Sequence, residues 1–210
     1  MYLLPHFTEQ DNARVLQFLK DHPFVMLVGN EGGNSVATQV PVLVEERGDK
    51  LILRGHIMRG TDHYKAFEAN NKALVLFTGA HCYVSSSWYN ERNIGSTWNY
   101  MTVYAKGEMK FTTDDETVQL LTDLTHKYED GHNPNELVEN MPPEYINAMV
   151  KAIAGFEIEV QELHPIFKLS QNRSDESYKN IVAQLQAGND QQANEIAEEM
   201  IGRRPNLFDK

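Results

Sequence analysis

Two short glycine-bearing turns, Glu31-Gly32-Gly33-Asn34 and Arg47-Gly48-Asp49-Lys50, separate apolar or alternating runs in the first quarter of the chain. They constrain the fold more than any other feature, because so few residues can join only antiparallel strands, whereas a parallel pair needs a crossover of a dozen or more. The runs at residues 24–28, 36–44 and Leu51-Ile52-Leu53 therefore read as an antiparallel meander.

Around this meander the sequence predicts further elements. Thr8 is expected to cap an opening helix whose apolar stripe is Val15, Leu16, Phe18 and Leu19, ending before Pro23. Residues 62–70 read as a brief helix and 73–77 as a strand. Residues 97–111 carry Trp98, Tyr100, Thr102 and Tyr104 on one face, with Gly107 as a bulge position, and form one long bent strand. Thr113-Asp114-Asp115-Glu116 is a capping box that opens a helix through Tyr128. A helix from Pro143, a last strand over 154–163 and two polar helices after Ser174, broken at Gly188-Asn189, complete the pattern. The expected fold is α+β or mainly β, a small antiparallel barrel with peripheral helices. The division expected is a main domain over 1–173 and a C-terminal helical extension over 174–210.

Composition narrows the classes of function. A formal net charge of −11 argues against strong attraction to phosphate backbones or anionic membranes, which Lys and Arg drive by releasing counterions. The single Cys82 excludes an intramolecular disulfide and fits a reducing compartment, so the cytoplasm is expected. No stretch approaches the roughly 20 apolar residues of a membrane helix. The eight histidines show no zinc-site spacing, so no metal is expected. Ser85-Ser86-Ser87 lacks the glycines of a nucleophile elbow, and no phosphate-loop or dinucleotide fingerprint is present.

Three segments carry chemistry. Both tryptophans fall in Tyr83-Val84-Ser85-Ser86-Ser87-Trp88-Tyr89 and Thr97-Trp98-Asn99-Tyr100, where large rings stand beside hydroxyl and amide groups. That mixture suits a flat, polar-edged ligand, although strand aromatics more often simply fill a core. Arg54-Gly55-His56-Ile57-Met58-Arg59-Gly60-Thr61-Asp62 brings cations, an imidazole and a hydroxyl to a predicted helix start, the requirements of a phosphate monoester, or equally of a solvated turn. Lys168-Leu169-Ser170-Gln171-Asn172-Arg173 is rich in donors that either grip a carbonyl-edged ligand or cap the next helix.

Taken in order with Pro23-Phe24 and Gly155-Phe156-Glu157-Ile158, these motifs resemble the PaiB-like family of FMN-binding negative transcriptional regulators, from Met1-Tyr2 almost to the last helix. The resemblance implies an FMN-binding split β-barrel related to pyridoxamine-phosphate oxidase, and a homodimer with FMN at the subunit interface. It further implies that His56, Arg59 and Thr61 face the FMN phosphate and that Trp88 or Trp98 covers the isoalloxazine. Ser85, Ser87 and Asn99 would bond the flavin edge, and Lys168, Gln171 and Arg173 would close the pocket. The chain departs from the family pattern at Ser86, at Asn90-Glu91-Arg92-Asn93 and at Ile57-Met58-Arg59-Gly60-Thr61. The implied function is an FMN-binding negative regulator of transcription, although the acidic charge and the lack of a recognition helix give direct DNA binding little support. The alternative is an FMN-dependent oxidoreductase, with His56 and Tyr83 as groups able to exchange a proton. A third expectation is a dimeric module that has lost its cofactor.

Overall fold

The computed structural model describes residues 4–132 and 134–209; the Met1-Tyr2 start of the family likeness lies outside them. Seven strands form an antiparallel sheet in the order β2-β1-β5-β6-β7-β4-β3. They are β1 (Phe24–Glu31), β2 (Asn34–Pro41), β3 (Leu43–Arg47), β4 (Lys50–Met58), β5 (Lys72–Val84), β6 (Thr97–Phe111) and β7 (Ile153–Lys168). The helices are α1 (Asn12–Asp21), α2 (Asp62–Ala69), α3 (Asp114–Glu129), α4 (Pro143–Ala152), α5 (Asp175–Gln186) and α6 (Gln191–Arg203). None of the described helices is long and apolar enough to cross a membrane.

The chain divides into two compact units. The hairpin unit holds residues 19–77 and 104–163; the terminal unit holds 1–18, 78–103 and 164–210.

In the hairpin unit the glycine turns act as the sequence predicts. Gly32 and Gly33 take φ of 57° and 94°, closing β1 on β2 with Glu31 opposite Asn34, and Gly48 at 65° closes β3 on β4 with Arg47 opposite Lys50. Left-handed φ at a hairpin turn matches the twist of its strands and suits glycine, which has no Cβ to clash. One expectation is corrected here. The alternating run 36–44 is two strands, because Pro41 lacks the N–H to continue the ladder and Val42 donates instead to the Pro23 carbonyl at 2.8 Å. The expected meander is therefore also corrected: the four strands form two hairpins, β1–β2 and β3–β4, which stand at opposite ends of the sheet order. Leu27, Leu53, Val75, Phe77, Phe156 and Ile158 form the buried core of this unit. The Thr113–Glu116 capping box is present, and α3 packs on α4 through Leu121, Val150 and neighbours.

In the terminal unit the start of α1 is also corrected. Asp11, not Thr8, satisfies the first backbone donors, accepting from Ala13 and Arg14 at 3.0 and 3.3 Å, while Thr8 bridges Ile166 of β7. That bridge explains why β7 runs five residues beyond the predicted end at 163. The apolar faces of α5 and α6 bury Tyr178, Ile181, Ile196 and Met200.

Candidate functional site

The expected site residues sort into two groups, one in each unit. The first stands where β4 meets α2. His56 lies opposite Gly155 in the β4–β7 register. Its Nδ1 is enclosed and has no hydrogen-bond partner, and burial holds its pKa below the ordinary histidine value. Gly60, at φ 78°, reverses the chain into α2. Arg59 is oriented rather than loose. Its Nε donates to the Ile153 carbonyl at 2.7 Å, one terminal nitrogen donates to the Tyr64 hydroxyl at 3.3 Å, and the other lies 3.8 Å from Asp114. Thr61 is the N-cap of α2, accepting from the Tyr64 amide at 3.4 Å and donating to the Met58 carbonyl at 2.7 Å. Its hydroxyl also lies 3.1 Å from His63 Nε2. A held guanidinium, a hydroxyl and a helix N-terminus are the donor set of an anion site. Tyr64 and His63 were missed in the sequence, where nothing ties Tyr64 to Arg59 until α2 turns it back.

The second group lies in the terminal unit. Alternation along β6 turns Asn99, Met101 and Val103 inward and leaves Trp98 outward at 53% exposure. The His81 and Tyr83 rings of β5 flank it, with centroids 5.9 and 6.0 Å from the indole, and Tyr83 is itself 50% exposed. The aromatic cluster is therefore an open surface and not core packing. His81 was also missed, although its i, i+2 relation to Tyr83 places both on one strand face.

Ser85 caps the short turn Ser86–Trp88, its hydroxyl accepting from the Ser87 amide at 3.2 Å and lying 2.8 Å from the Ser87 hydroxyl. Trp88 is half-buried at the end of this turn. Lys168 donates to the Trp98 carbonyl at 2.7 Å and to the Thr97 hydroxyl. Burial, and then the nearby Arg173 charge, hold its pKa below the ordinary lysine value. Arg173 lies over the Tyr89 ring, 4.4 Å from its centroid.

Two residues take other positions than expected. Asn99 is fully buried on the face opposite Trp98, where its carboxamide oxygen accepts from Ser170 at 2.9 Å and its nitrogen lies 3.6 Å from Met200 Sδ. Gln171 folds back on its own turn, accepting from the Leu169 amide at 2.7 Å and donating to the Phe167 carbonyl. Both support the donor-rich turn from inside. Among the described residues no group of three or more His, Cys, Asp or Glu is placed to hold a metal ion.

Each group fits part of FMN in kind: in the hairpin unit an anion-binding helix start and an enclosed imidazole nitrogen without a partner, and in the terminal unit an exposed indole between two rings. Comparison with known proteins agrees. The family described as "Putative FMN-binding domain" matches residues 1–162. Protease synthase and sporulation protein PAI 2 of Bacillus subtilis (strain 168) is 33% identical over 200 residues, covering 95% of this chain and 96% of the relative. Among solved structures, the FAD and heme binding protein from Mycobacterium smegmatis superposes with a TM-score of 0.57 at 18% identity, covering 77% of this chain and 73% of the other. The flavocytochrome Anf3 from Azotobacter vinelandii does so with a TM-score of 0.57 at 16% identity, covering 77% and 69%. At such identities these two likenesses speak to the fold, which is the open split-barrel arrangement.

Proposed function

Because the chain belongs to this FMN-binding domain family, we propose that it is a cytoplasmic homodimer that holds FMN and acts as a negative regulator of transcription. The observation that carries the flavin reading is the outward Trp98 between His81 and Tyr83, since a large amphipathic ring left open on a strand face is suited to stacking on a flat ligand.

In this reading Arg59, Thr61 and His56 of the hairpin unit offer a phosphate site. In the terminal unit Trp98 and Trp88 offer a face to a ring system, Ser85 and Ser87 bond a polar edge, and Lys168 and Arg173 supply positive charge. Asn99 and Gln171 act from behind, through Ser170 and the 167–169 turn. When bound, FMN supplies electron-transfer chemistry that no protein side chain provides. The flavin function belongs to residues 1–173, with 174–210 as a helical extension; the family match ending at residue 162 supports this division. A relative named for protease synthesis and sporulation supports a regulatory role. With a net charge of −11, regulation proceeds without strong direct contact to DNA.

Titration with FMN, followed by flavin absorbance and fluorescence, tests the cofactor. Arg59→Ala and Trp98→Ala each weaken binding; unchanged affinity in both overturns the placement. A gel shift on promoter DNA at low salt tests the mode of regulation. The partnerless Nδ1 of His56 favours a second reading, an FMN-dependent oxidoreductase in which this nitrogen exchanges a proton. Reduction of bound flavin by NADH or NADPH supports that reading, and a flavin inert to both excludes it for these donors.

A further inference from the structure

Helix α5 begins at Asp175, beyond the family match at 1–162, yet its first turn grips the loop that follows Trp88. The Asn90 amide donates to the Ser177 hydroxyl at 2.9 Å, and that hydroxyl donates in turn to the Glu91 carboxylate. Asn180, one turn on, donates through its side chain to the Asn90 carboxamide oxygen at 2.8 Å. Immediately before the loop, the Arg173 guanidinium covers the Tyr89 ring. Helix α5 also packs against the Ser86–Trp88 turn itself.

These contacts do more than cap the helix. Ser174 already caps α5, accepting from the Ser177 amide at 3.3 Å, so the Ser177 hydroxyl is free for another task. It is completely buried and is engaged both as acceptor from the loop and as donor to it. The Glu91 carboxylate sits at the positive end of the α5 dipole, and the Ser177 and Ser174 hydroxyls hold its pKa at about 2. Glu91 is therefore charged at any physiological pH.

Resting on the reading that Trp88, Ser85 and Ser87 face the flavin, we infer that α5 is the positioning element of that segment. Ser177 and Glu91 form a latch that fixes the 89–93 loop and, through it, the Ser86–Trp88 turn. They touch no cofactor. They set the pose of the residues that do.

The test uses the full chain, titrated with FMN while acrylamide quenching reports tryptophan exposure. Glu91→Ala and Ser177→Ala are each expected to raise the FMN Kd about five-fold, the scale of one lost hydrogen bond, and to increase quenching. Glu91→Gln keeps an acceptor oxygen for the Ser177 hydroxyl and is expected to stay within about two-fold of the parent. If Trp88→Ala weakens FMN but Glu91→Ala and Ser177→Ala do not, the latch is wrong while the flavin placement stands. If Trp88→Ala leaves the Kd unchanged, the placement itself fails. Equal losses in Glu91→Gln and Glu91→Ala also overturn the latch. Should Ser177→Ala not fold, the Glu91 pair decides, because that side chain is only half-buried.

Discussion

Gly107 of β6 lies against the backbone of Glu159 in β7 with no room for a side chain. A Cβ at position 107 would overlap the Glu159 carbonyl oxygen and stand 2.9 Å from both its carbonyl carbon and the Ile158 Cγ2. Gly107→Ala must push backbone aside rather than turn a flexible side chain. It is expected to lower stability by on the order of 3 kcal/mol. Gly95→Ala, where a Cβ meets nothing within 4 Å, is the control and should change stability little. Urea denaturation of the two variants checks the contrast.

Arg54 is the hub of a charge network on the sheet. It bonds Glu45 and Asp123, the latter at 2.7 Å, lies 3.6 Å from Glu157, and is only 11% exposed. Arg54→Ala takes the cation from Asp123, while Arg47 still pairs with Glu45 and Glu157, and is expected to cost about 2 kcal/mol. Burial pushes the Asp123 carboxyl up, but the hydrogen bonds from Arg54 and Gln119 and the Arg54 charge together outweigh it and hold the pKa below the ordinary value. In the variant Asp123 should therefore titrate at higher pH, which carboxyl NMR can follow.

His126 bridges Asp130 at 2.9 Å and Glu139 at 2.8 Å, tying the end of α3 to the segment that follows. The hydrogen bond to Asp130, then that to Glu139, raise its pKa above 6.5. A raised histidine stabilises the folded state fully below its unfolded value and loses that contribution as pH rises through its folded value. The melting temperature of the parent should thus exceed that of His126→Asn below pH 6.5, and the gap should close on the alkaline side.

Cys82 is buried, and burial pushes its thiol up to about 12. A thiol reagent at mildly alkaline pH should leave it unlabelled in the folded protein and label it in denaturant. Fast labelling without denaturant would show that β5 opens.

Local chemistry was legible in the sequence wherever neighbours in the chain are neighbours in space. The Gly32-Gly33 and Gly48 turns, the Thr113–Glu116 box and the length of β6 all depend on contacts within a few residues. The strand break at Pro41 was equally local and was overlooked. Thr8 was misread because its role is set by Ile166, far along the chain, while Asp11 offered the same capping chemistry closer to the helix. Alternation on β6 correctly grouped Trp98, Tyr100 and Tyr104, but not which face the core would take. The family resemblance put Asn99 at the flavin edge, whereas its side chain faces inward, where Ser170, 71 residues away, satisfies it. The Tyr64 brace on Arg59 and the grip of Ser177 on Glu91 were likewise invisible, because no periodicity encodes a pairing made by tertiary packing.

Strand β7 runs without interruption from Ile153 to Lys168, past residue 162 where the match to the family domain ends. That domain boundary thus falls inside a hydrogen-bonded ladder instead of a linker, and the likeness to PAI 2, over 95% of this chain, runs on beyond it. A relative with a different tail has to splice it onto a strand already in register. Recombination at this point would accept new C-termini by their ability to continue the pairing, and a fragment cut at residue 162 would expose a raw strand end prone to self-association.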